Sequence, residues 1–66
     1  MMNQKQIGRY IAEKRRIKNL TQAQLAEQLG ISDKTVSKWE CGRSMPDYAL
    51  IQPLCETLDI SVSELI

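Results

Sequence analysis

Residues 21–43, TQAQLAEQLGISDKTVSKWECGR, carry two helix starts only eleven residues apart, which commits this stretch to two short helices joined by a tight turn. Thr21 can cap the first helix while Gln24, three residues later, reaches back to the cap's own N–H; this is a capping box. Leu20 and Leu25 occupy the flanking positions of a hydrophobic staple. Ser32 repeats the cap, and Ile31 and Val36 repeat the staple. Between the two starts, Leu29-Gly30-Ile31 places a glycine where the first helix must stop and the chain reverse, because glycine takes a positive φ without a Cβ penalty.

The second helix, residues 32–40, is poor in apolar residues. Only Val36 and Trp39 are apolar, three apart on one face, while Asp33, Lys34, Ser37 and Lys38 lie opposite with Thr35 at the edge. A helix that buries so little is marginal alone. For an arbitrary amphipathic helix the ordinary reading would be a solvated surface element. Its position after a short glycine turn and an apolar-faced partner is instead the arrangement that holds a recognition helix across a nucleic-acid groove.

Gln22, Ala26, Gly30, Val36 and Trp39, with Trp39-Glu40-Cys41-Gly42-Arg43 and the later Pro46-Asp47, resemble the phage repressor and Cro type (XRE-like) of helix-turn-helix DNA-binding domain. The resemblance covers residues 6–66. It implies an all-α, lambda-repressor-like fold: a compact five-helix bundle making one domain over residues 1–66, with its helix-turn-helix at about 21–40. It also implies a small Ala26 for close helix approach and an Arg15–Glu40 ion pair tying the first helix to the end of the third. Cys41 departs from the family, where Asn is common before the glycine.

The implied function is a sequence-specific regulator of transcription, repression being the expected mode. Such a protein binds double-stranded DNA at a near-palindromic operator, commonly as a homodimer, with residues 32–40 in the major groove. Lys34 and Lys38, four apart, can each reach guanine O6 or N7 or a neighbouring phosphate. Thr35 can meet a thymine methyl or a phosphate. Asp33 either accepts from cytosine N4 or serves the helix dipole, which is worth up to about 1 kcal/mol. Gln22 stands in a first helical turn, where free N–H groups attract phosphate. With Ser32, Ser37 and Arg43 it forms the expected set of phosphate contacts.

A net charge of +1 looks unpromising for a nucleic-acid ligand until it is divided along the chain. Residues 1–18 hold six bases against Glu13, a balance of +5; residues 19–43 are neutral; residues 44–66 carry four acids and no base. Such polarity orients a domain towards phosphates even when its total charge is small.

Cys41 and Cys55 lie fourteen apart in a chain without histidine, so neither a four-ligand zinc site nor a Cys–His nucleophile can be assembled. Cys55 falls on an apolar stripe and is expected as a buried free thiol. An enzyme is therefore not expected, nor a cofactor, metal or small-molecule substrate. No apolar run approaches the ~18 residues that span a bilayer. Residues 1–18 also lack a continuous apolar signal segment, so a cytoplasmic location without a membrane partner is expected. The same helix face also suits a second class of function, a protein-interaction module or antitoxin-like domain docking on an acidic partner. Selectivity for DNA sequence separates the two.

The remaining elements follow from pattern. Residues 3–18 read as a first helix with Asn3 as cap and Ile7, Tyr10, Ile11 and Ile17 on its inward stripe. A fourth helix, capped by Asp47, turns Ile51, Leu54, Cys55 and Leu58 inward, with Pro53 requiring a bend or a late start. Ser61-Val62-Ser63-Glu64 makes another capping box for a short fifth helix. Tyr48, Leu50, Val62, Leu65 and Ile66 are candidates for an apolar surface beyond the core.

Overall fold

Local hydrogen bonding at the helix ends divides the chain into five helices in the computed structural model, which describes residues 2–66. These are α1 (Gln4–Ile17), α2 (Gln22–Leu29), α3 (Asp33–Glu40), α4 (Tyr48–Leu58) and α5 (Val62–Leu65). Thr21 and Gln24 close the expected capping box, with bonds of 3.0 and 2.8 Å, and Ser61 and Glu64 form the one before α5. Asn3 is more than a cap, since Gln6 completes a third box with it.

The first four helices also end alike. Asn19, Gly30, Gly42 and Asp59 have φ between 58° and 74°. In each case the following N–H donates to the carbonyl five residues back: Leu20 to Arg15, Ile31 to Ala26, Arg43 to Lys38 and Ile60 to Cys55, at 2.9–3.1 Å. This is the Schellman arrangement, which satisfies carbonyls that a helix end leaves free. It explains why the connections are short and the helices change direction abruptly.

The core takes residues from every helix: Ile7 and Ile11, Leu25 and Ala26, Val36 and Trp39, Leu54, Cys55 and Leu58, and Leu65. α3 packs against both α2 and α1, α4 braces α2, and α5 closes against α1 and α4. Burying a side chain of this size is worth about 1.5–3 kcal/mol. Val36 and Trp39 thus supply what an isolated eight-residue helix lacks.

Several expectations need correction. Ile17 is 62% exposed and off the inward stripe of α1. The inward positions run 7, 11, 15 in steps of four, so Arg15 takes the last buried place. Leu65 belongs to the core, not to an outer apolar surface, and Leu50 is half-buried against that core. Tyr48, Val62 and Ile66 are exposed. Asp47 occupies the cap position of α4 but its side chain makes no capping bond; its carbonyl accepts from Leu50 and Ile51 instead. The helix begins at Tyr48 and runs unbroken through Pro53, so no late start occurs. Pro53 and Ala49, whose carbonyl loses its helical donor, are both exposed, and water can satisfy the freed acceptor.

Candidate nucleic-acid interface

α3 is anchored from behind and open in front. The Ser32 hydroxyl accepts from the Thr35 N–H at 3.3 Å and lies 3.2 Å from the Thr35 hydroxyl, fixing the start of the helix. Asp33, Lys34 and Lys38 are exposed, while Thr35 and Ser37 are half-buried at the edges of the same surface. Asp33 stands in the first turn, where the helix dipole favours an anion, and Lys38 in the last, where it favours a cation. Five of the sequence-predicted residues therefore share one helix. Arg43 is exposed just beyond it, in the turn made by Gly42.

The orientation of α3 depends on Glu40, where three helices meet. Its carboxylate accepts from Arg15 Nε at 2.6 Å and Nη2 at 2.9 Å, a bidentate pair. Gln22 Nε2 donates to the same carboxylate at 3.0 Å. Arg15 Nη1 also donates to the Leu20 carbonyl at 2.8 Å, which ties in the α1–α2 connection. Burial alone would raise the Glu40 carboxyl, but the hydrogen bonds from Arg15 and Gln22 and the nearby charge of Arg16 outweigh it and hold it below the ordinary carboxylate value. The bond to Glu40 correspondingly raises Arg15. Gln22 thus has a structural duty that the sequence did not reveal. One of its two amide hydrogens is engaged by Glu40, leaving one free at the start of α2.

Gly8 and Gln4 also position this surface, and neither was singled out by sequence reasoning. Gly8 is buried where α1 crosses the end of α3, and a Cβ there would overlap the Trp39 carbonyl oxygen and lie 3.1 Å from that of Glu40. Gln4 Nε2 donates to the Gly42 carbonyl at 2.7 Å, fastening the start of α1 to the turn after α3. Pro46 is buried and anchors the loop that leaves that turn. The single glycine in the apolar stripe of α1 was the one available hint, since such a residue often marks close approach of backbones.

Cys41 is exposed at the end of α3 and Cys55 is buried, both as free thiols; burial pushes the Cys55 thiol up. Among the described residues no group of three His, Cys, Asp or Glu side chains is placed to hold a metal ion. No helix among them is long and apolar enough to cross a membrane.

A Helix-turn-helix family model matches residues 11–65. The transcriptional activator BcrR of Enterococcus faecalis is 41% identical over 49 residues, covering 74% of this chain and 24% of the activator. The cryptic phage CTXphi transcriptional repressor RstR of Vibrio cholerae is 36% identical over 55 residues, covering 83% of this chain and 49% of the repressor. The chain therefore spans about a quarter and about half the length of these two curated relatives. The structure of the P22 c2 repressor in complex with a synthetic operator superposes with a TM-score of 0.87 at 27% identity, over 91% of both chains.

Proposed function

Because this chain belongs to the helix-turn-helix family, we propose that it is a sequence-specific double-stranded DNA-binding regulator of transcription, with α3 in the major groove. The observation that carries this reading is the two-sided character of α3. Val36 and Trp39 are fully sunk in the core, while Asp33, Lys34 and Lys38 project from an exposed polar face that no intramolecular contact requires. Relatives named as activator and repressor, and a similar fold seen on operator DNA, support it.

Asp33, Lys34, Thr35 and Lys38 read base edges. Gln22, Ser32, Ser37 and Arg43 hold phosphates and set the register without carrying sequence information. Repression by operator occupancy is the mode we favour, with two copies on a near-palindromic site whose half-sites lie about 34 Å apart or a multiple of it. The protein acts in the cytoplasm, by binding alone and without bond chemistry. Selection of duplexes from a random DNA pool tests this directly. A short, two-fold symmetric winner preferred by about 10³ or more over scrambled DNA is expected. Absence of enrichment, with weak binding that vanishes as salt rises, would overturn sequence-specific recognition by this chain.

A further inference from the structure

A cleft of about 510 Å³ lies beside α3, with Arg9, Glu13 and Arg16 of α1 on one side and Gln22, Glu40 and Cys41 on the other. The charge inside it is unbalanced. Glu40 is already neutralised by the bidentate bond from Arg15, which leaves two guanidinium groups facing the single carboxylate of Glu13. Arg9 and Arg16 are spaced four and three residues from Glu13, where helical ion pairs form readily. Yet among the described residues neither arginine lies within ion-pair distance of any carboxylate. Both are exposed. The other two cations near the end of α1 are engaged elsewhere: Lys14 lies 5.4 Å from the centre of the Tyr10 ring and Lys18 pairs with Asp59 at 3.7 Å.

The free cations of the cleft are therefore arranged as a row. Arg9 and Arg16 are two helical turns apart, about 10 Å along the axis. At that spacing the two guanidinium groups can meet two different phosphodiesters of one strand. Lys5, one turn before Arg9, lies against Gly42 and carries the row to the turn that holds Arg43. Gln22, whose amide bonds Glu40 through one of its two hydrogens, lines the same cleft.

We propose that α1 supplies a second phosphate-binding edge, in which Arg9 and Arg16 hold two phosphodiesters of the DNA strand that also passes Gln22. This assignment rests on the DNA-binding reading above and extends it to a helix outside the helix-turn-helix unit. The edge contributes affinity and orientation and leaves base preference unchanged.

The test is the slope of log binding constant against log salt on the selected duplex, for the wild type, Arg9→Gln/Arg16→Gln and Lys14→Gln/Lys18→Gln. Both double variants remove the same charge from this end of the chain, and a thermal melt confirms that each is folded. Two lost phosphate contacts make the slope shallower by about 1.8, at about 0.9 per phosphate. That change is expected for the arginine variant, with unaltered sequence preference, and less than a third of it for the lysine variant. Equal slope changes in the two variants would reduce the effect to net charge and overturn the proposal, as would an unchanged slope in the arginine variant. A wild type that binds no duplex at all would instead remove the DNA-binding reading and this edge with it.

Discussion

Replacing Glu40 by glutamine preserves the size of the side chain and removes only its charge and one acceptor. The carboxylate accepts three hydrogen bonds, two from Arg15 and one from Gln22. A carboxamide would turn an N–H towards a guanidinium or amide N–H that also donates. The Arg15 and Glu40 side chains retain 11% and 6% of their exposure, so the pair is far from the solvent-screened case. Exposed pairs are worth about 0–1 kcal/mol, whereas breaking a buried pair by removing one partner costs about 3–5 kcal/mol. Burial this deep places the cost near 3 kcal/mol, and for a domain of this size that is a fall in Tm of about 20 °C. The total stability of such a domain is roughly 3–10 kcal/mol, so the variant is expected to lose about a third or more of it. Urea unfolding followed by the fluorescence of Trp39, the only tryptophan and adjacent in sequence to Glu40, measures it. Because the folded-state carboxyl lies below its ordinary value, the stability it contributes is complete above the unfolded-state value near 4.3 and is lost as pH falls through the folded value. The gap between wild type and Glu40→Gln is therefore expected to be constant from pH 6 to 8 and to shrink progressively as pH falls below the unfolded-state value. A loss under 1 kcal/mol at pH 7, or a gap that persists in acid, would refute the pair as the fastening of α3.

Gly8→Ala is expected to destabilise by about 2 kcal/mol or more through the clash with the Trp39 carbonyl, measured by the same unfolding curve; an unchanged midpoint would show that α1 can retreat freely. Asn19→Gly is expected to stabilise by up to about 1 kcal/mol, because Asn19 sits at φ 59° where glycine has no Cβ penalty, and a lower Tm would contradict this. Cys41 is expected to react with an aromatic disulfide reagent in the native state and Cys55 only after unfolding; equal rates would contradict the burial of Cys55. Lys34→Ala is expected to weaken binding by about 1–3 kcal/mol and relax one position of the selected site, whereas a loss uniform over all sequences would reassign Lys34 to phosphate.

The sequence by itself determined what depends on neighbours within about one helical turn. The Thr21–Gln24 and Ser61–Glu64 boxes, the Gly30 turn, the polar face of α3 and the inward set Leu54, Cys55 and Leu58 are local patterns, and a cap or a periodicity needs no distant partner to be expressed. The Arg15–Glu40 pair was legible only through family resemblance, since nothing local requires a contact across twenty-five residues. Tertiary structure decided the rest. Arg15 falls within the buried face of α1, and only the presence of Glu40 on α3 made it favourable to place a charge there, whereas Ile17 lies on the far side of the helix. Gly8 matters because of a carbonyl on another helix, and Gln22 serves Glu40 as well as any ligand because α2 starts beside the end of α3. The unpaired state of Arg9 and Arg16 was equally hidden, for their helical spacing from Glu13 favours the ion pairs that the fold does not form. A short-range code wrote the helices and their ends, and close packing of three helices chose which charges would be buried and which left free.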